Sequence, residues 1–179
     1  PLKEIKVILR GSIKHGLRNP PVRWLMLAAP FTGGVSIYAF YAMQPYLLEL
    51  YGEEKAYGIA GLAAAIVAGA QIVGGLLVPH IGRIFRRRTS VLLTCELLGA
   101  LILVIVGFVP NFWVAVTLLV FWGLMFAAAT PVRQSYLNSL IPSQQRATVL
   151  SFDSLFGSTG GVVVQPALGK AADLWGYPM

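Results

Sequence analysis

The sequence predicts an all-α, polytopic membrane protein, a helix bundle with five transmembrane helices. Three observations predict it. Of 179 residues, 56% are hydrophobic and only 12% are charged, about half the charged share of an ordinary soluble domain. The charges cluster between long uncharged runs. The basic clusters also fall on alternate sides of those runs. Composition excludes other classes: a disordered chain needs low hydrophobicity and high charge, and a single cysteine, Cys95, rules out a disulfide framework or a cysteine-built zinc site. The net charge of +7 would suggest nucleic acid only if the basic residues formed one patch.

The uncharged runs mark the spans. There are 25 uncharged residues between Arg23 and Glu49, and 27 between Lys55 and Arg83. The 44 residues from Thr89 to Val132 carry only Glu96, and the 23 from Ala147 to Gly169 carry only Asp153. A span needs about 20 apolar residues to cross a core of roughly 30 Å, so the 44-residue run holds two, divided at the turn signal Pro110-Asn111. The expected spans are 24–48, 56–82, 89–109, 112–136 and 147–169. A soluble protein with five such helices in succession would have too few residues for a water-facing shell. The run after Trp24 is too long for a signal-peptide core and lacks a cleavage site.

Sidedness follows from the flanks. Lys3, Lys6, Arg10, Lys14, Arg18 and Arg23 precede the first span. Arg83, Arg86, Arg87 and Arg88 separate the second from the third, and Arg133 and Arg146 separate the fourth from the fifth. Twelve of the 14 basic residues thus lie on one side, against Lys55 and Lys170 on the other. Basic loops stay cytoplasmic. The expected topology is an integral protein of the plasma (inner) membrane with its N-terminus cytoplasmic and its C-terminus outside. The basic surplus then meets anionic headgroups of the lipid bilayer, and no nucleic-acid partner is needed.

Residues 1–21 are expected to form a cytoplasmic amphipathic linker helix, and 22–179 the transmembrane bundle. Leu2, Ile5, Leu9, Ile13 and Leu17 recur on one helical face, with basic residues opposite. Gly11 and Gly16 weaken that helix, which leaves a flexible basic linker as the alternative. Asn19-Pro20-Pro21 ends the segment.

Inside the first span, Tyr38, Tyr41 and Gln44 lie toward one side, and Pro45 frees a carbonyl one turn earlier. Broken helices of this kind often sit at transport sites. The other reading makes Pro45 a tolerated kink, with Tyr46 and Tyr51 in the outer aromatic belt. In the second span, Gly58, Gly61, Ala65 and Gly69 form a small-residue stripe expected to pack against a neighbouring helix. Gln71 near its edge needs a polar partner or a cavity. In the last span, Ser151, Ser154, Ser158, Gly161 and Gln165 share a face that must pack closely or line water. Two carboxylates, Glu96 and Asp153, lie shallowly in the membrane, Glu96 about 10 Å from the cytoplasmic end at 1.5 Å per residue. Each is either half of an ion pair with Arg83, Arg133 or Arg146, or a proton-carrying site.

Gly75, Gly82 and Arg83, followed by Arg86, Arg87 and Arg88, resemble the cytoplasmic loop signature of the major facilitator superfamily. That signature runs glycine, three residues, acid, base, any residue, glycine and two bases. Here Pro79 stands at the acid position and His80 at the first base position, so the usual acid-mediated gate contact is lost. Such erosion suits the copy in the C-terminal half. Thr130-Pro131 with Arg133, and then Pro142 through Arg146 to Ser151, resemble the tenth-to-eleventh helix loop of drug-exporter-like members. Gly160-Gly161, Gln165-Pro166, Gly169, Asp173 and Gly176 resemble their eleventh helix.

The resemblance implies a secondary active transporter of small molecules, coupled to protons or another ion, that works by alternating access as an efflux antiporter. The five spans would be helices seven to eleven, the N-terminal half and a final helix would be missing, and the partners would be a small-molecule substrate and a coupling ion. The substrate cavity would take Tyr38, Tyr41, Gln44, Gln71, Ser154, Ser158 and Gln165. The cytoplasmic gate and loop motif would take Gly75, Gly82, Arg83, Arg86, Arg87, Arg88, Arg133 and Arg146. Asp153 and Glu96 remain as ion pair or proton site. No cofactor, metal or catalytic residue is expected. The alternatives are a membrane-embedded structural or partner subunit without transport, and an intramembrane enzyme using Glu96 or Asp153, for which no convergent acid or histidine partner is evident.

Overall fold

A computed structural model describes residues 13, 16, 18–52, 56–85 and 87–176. Most of the 1–21 segment, with Glu53, Glu54, Lys55 and Arg86, lies outside the described residues. The described chain forms five long helices: α1 Pro20–Tyr51, α2 Tyr57–Ile84, α3 Arg88–Val106, α4 Phe112–Leu140 and α5 Arg146–Trp175, with a 3-10 turn at Ser143–Gln145 before α5. There is no strand among the described residues. All five helices are long and apolar enough to cross a membrane.

The ends of the helices have local causes. Pro20 and Pro21 sit in the first turn of α1, where no backbone donor is needed, so the helix starts four residues before Trp24. It stops at Gly52, whose φ of +80° suits the left-handed cap and whose N–H donates to Leu48 O at 3.1 Å. α3 stops at Val106, three residues short of the expected end. Phe108 N–H and Val109 N–H tighten onto Ile105 O and Val106 O ahead of Pro110, which has no N–H to continue the ladder. Asn111 caps α4, its Oδ1 accepting from Trp113 N–H at 3.0 Å and Val114 N–H at 3.2 Å. α5 runs past Gly169 to Gly176, another left-handed glycine with φ +87°. At 29 to 32 residues, α1, α4 and α5 are each about 45 Å long and exceed the ~30 Å apolar core.

The chain divides into two compact units. Among the described residues, one holds those up to Tyr38 together with 135–169, and the other holds those from Ala39 to Gln134 together with 170–176. In the first, α1 and α5 meet through glycines. A methyl group on Gly34 would stand 2.8 Å from Val164 Cβ, and one on Gly160 would overlap the Pro30 carbonyl. Without a hydrophobic force between helices in lipid, this close backbone approach is what binds them. Val22, Met26, Leu137, Ile141 and Val149 form the apolar core of that unit. In the second unit, Met43 and Leu47 of α1, Val67 of α2, Val106 of α3 and Leu119 and Trp122 of α4 share one core.

The contact face of α2 differs from expectation. Gly58, Gly61 and Gly69 have open space where a Cβ would stand. The buried side is instead Ala60, Ala63, Val67, Ala70 and Gly74, about 170° around the helix from the stripe. A methyl group on Gly74 would lie 2.7 Å from Leu124 O of α4. Both faces carry small residues, so spacing alone did not decide between them. Tyr46 is a second correction. It is only 7% exposed and bonds within the protein, whereas Tyr51 is exposed and packs edge-on against Phe112 at 5.3 Å, as a belt residue can. Large apolar side chains point outward along the helices, among them Phe31, Leu76, Leu97, Phe108 and Val162. A surface of this kind requires lipid or protein to cover it.

Candidate functional site

The polar residues within the spans are positioned by helix periodicity. On α5, Ser151, Ser154 and Ser158 are exposed, and Gly161 and Gln165 are half-buried along the same face. Ser151 Oγ donates to Ala147 O and Ser158 Oγ donates to Ser154 O, both at 2.9 Å. The hydroxyl protons are thereby committed to the helix, and the oxygens remain as acceptors. The strip can therefore receive hydrogen bonds from a ligand or water. It flanks the glycine face that packs on α1 within the same unit.

Asp153 is not part of that strip. It is 6% exposed and lies on the packed face with Val149 and Gly160, about 130° from the mean direction of the serines. Tyr38 is half-buried in this unit, one turn beyond Gly34 and toward the same side of α1. The unit also contains the α4–α5 turn, where Arg146 Nη2 donates to Asn138 O at 2.9 Å.

In the other unit, Tyr41 is 71% exposed and its ring meets Phe40 edge-on at 5.8 Å. Gln44 is exposed beside it in sequence, one turn on. Gln71 is half-buried on the α4 side of α2, its Cγ 3.5 Å from where a Gly123 Cβ would stand. It therefore borders the buried face and not the glycine stripe. Pro45 interrupts the ladder of α1 at the Tyr41 carbonyl, its partner four residues back.

Around the α2–α3 turn, Gly75, Gly82, Arg83, Arg87 and Arg88 are exposed, and Arg86 lies outside the described residues. Gly75 and Gly82 have open space where a side chain would begin. Glu96 on α3 lies within electrostatic reach of Arg133 on α4. Arg23 lies over the Trp24 ring at 5.6 Å, pairing a cation with an aromatic near the N-terminal end of α1.

The expected cavity residues thus separate into Tyr38, Ser154, Ser158 and Gln165 in one unit and Tyr41, Gln44 and Gln71 in the other. Sequence reasoning missed Tyr46, whose hydroxyl donates to Val106 O at 2.7 Å and reaches Val109 O at 3.2 Å. The signal that could have found it was Pro110, which leaves the Val106 carbonyl short of a donor.

The chain matches the sequence profile described as Major Facilitator Superfamily over residues 2–165. Comparison with curated proteins returned no match.

Proposed function

Since the chain belongs to the major facilitator superfamily and is a membrane transporter, we propose that it forms part of the C-terminal half of a proton- or ion-coupled exporter of small molecules. The five helices take the places of helices seven to eleven. The observation that carries the reading is the line of exposed hydroxyls Ser151, Ser154 and Ser158 on one face of α5, two of which, at Ser151 and Ser158, have their protons bound to the helix backbone. Polar groups facing hydrocarbon are costly, whereas the same groups on a water-filled path are hydrated between substrates. Tyr41, Gln44 and Gln71 supply aromatic and amide surface in the other unit, chemistry that suits amphiphilic molecules with a ring and a donor group.

The arginines of the α2–α3 turn, with Arg133 and Arg146, hold the cytoplasmic gate side. Glu96 and Arg133 act as an ion pair that fixes α3 to α4, and Asp153 serves the packed side of α5. Transport proceeds by alternating exposure of a midplane site. The test is flux of an aromatic cationic dye into everted vesicles containing the complete protein. Uptake should follow an imposed proton or sodium gradient and stop when the gradient is collapsed. Absence of flux under either gradient, with the protein folded and inserted, overturns exporter coupling. Liposomes containing only these five helices should show no uptake; uptake there would contradict the half-transporter assignment.

A further inference from the structure

The turn between α4 and α5 holds three buried polar atoms without a hydrogen-bond partner: Asn138 Oδ1, Gln145 Oε1 and Arg146 Nε. The residues themselves are half-buried, but these atoms are closed off from solvent. An amide oxygen or guanidinium N–H in this condition has lost its hydration and made no bond to replace it. Two features hold the turn shut. Arg146 Nη2 donates to Asn138 O at 2.9 Å, and Leu137, Ile141 and Val149 around the turn belong to the apolar core of the unit. The turn's own backbone is paired, with Gln145 N–H donating to Pro142 O and Arg146 N–H to Ser143 O. The strain therefore lies in the side chains, and water would relieve it at all three atoms if the turn opened.

We infer that the α4–α5 turn is a conformational device: its packed form is strained by the three unpartnered atoms, and it opens to a hydrated form in which Arg146 leaves Asn138. The apolar contacts and the Arg146 bond favour the packed form. The desolvated amides and guanidinium favour the hydrated one. Each unpartnered atom weakens the preference for packing by about a factor of five or more, the effect of a buried unsatisfied group. Three such factors bring two otherwise unequal forms toward comparable populations. The use of this opening as a gate rests on the transporter reading, in which Arg146 stands on the gate side. The opening itself requires neither substrate nor gradient.

The experiment uses the complete protein in lipid nanodiscs without a gradient, and reads hydrogen exchange at the Arg146 N–H together with the melting midpoint. Gln145→Met and Asn138→Leu roughly keep the side-chain volume, and each removes one unpartnered oxygen. Each should slow exchange about fivefold or more and raise the midpoint. Gln144→Met, at the exposed neighbouring position, should change neither. Unchanged or faster exchange in one of the two variants overturns the inference for that atom, and in both it overturns the inference altogether, because the amides would then be satisfied. Equal slowing in Gln144→Met also overturns it, since added apolar surface would be the cause. Gradient-driven dye flux is read separately. It should fall in Gln145→Met as the open form becomes rarer, and unchanged flux with slowed exchange overturns the gate role. Absence of flux in the parent protein contradicts the transporter reading alone.

Discussion

Gly34 on α1 and Gly160 on α5 meet backbone to backbone: a methyl group on Gly34 would stand 2.9 Å from the Gly160 carbonyl oxygen. The same turn of α1 brings the Pro30 carbonyl against Gly160. Only residues without a Cβ permit this approach in a lipid-embedded helix pair. Gly34→Ala and Gly160→Ala should each lower stability by about 1–3 kcal/mol, the range for overpacking a tight interior. Gly157 lies on α5 beside the crossing, and a Cβ there meets nothing within 4 Å. Gly157→Ala should therefore be neutral or slightly stabilising through helix propensity. Thermal melting of the three variants in detergent checks the contrast, and equal losses would remove the crossing as its cause.

The α2–α4 seam gives a parallel contrast. Gly74→Ala drives a methyl into Leu124 O and the Ala127 side chain and should cost about 1–3 kcal/mol. Gly58→Ala on the opposite face has open space and should not destabilise this chain. Denaturation of the two variants side by side distinguishes the buried face from the glycine stripe.

Glu96 and Arg133 are predicted to be energetically coupled. Glu96→Gln or Arg133→Gln alone neutralises one member of the pair, whereas the double variant neutralises both. Stability should fall in each single variant and recover in part in the double, with a coupling of about 1 kcal/mol or more. Additive losses would show that the two charges act independently and would leave Glu96 open to a proton-carrying role.

At the α4–α5 turn, Arg146→Lys keeps the charge and loses the planar donor that reaches Asn138 O. The topology should be unchanged, because the basic count on that side is the same. Stability should fall by about 1 kcal/mol, read as a lower melting midpoint with unaltered membrane insertion.

Much of this architecture was legible in the sequence because charge and hydropathy act over whole helices. The uncharged runs became five helices, and Pro110-Asn111 did divide the long run, through a missing donor at Pro110 and a side-chain cap at Asn111. What was not legible depends on which of two similar faces meets a neighbour. α2 carries small residues on both sides, so the spacing of Gly58, Gly61 and Gly69 was as good a packing signal as Ala63, Ala70 and Gly74. Tyr46 had the same ambiguity: an aromatic near a helix end reads as a belt residue, and only the position of a carbonyl 60 residues away makes it a buried donor. For the polar residues, periodicity put the α5 serines on one face. It could not say that Asp153 would sit on the packed side.

On the proposed reading, the α5 serine strip faces water along a transport path. The most direct measurement is the reaction of single cysteines in the complete protein with a hydrophilic maleimide. Ser154→Cys and Ser158→Cys should react readily, and a transported aromatic dye should slow both. Val163→Cys, exposed at the far side of the same helix, should remain unreactive because lipid covers it. Equal reactivity at all three positions, or unreactive serine positions in a protein that still inserts and folds, would mean that the strip does not line a water-filled path.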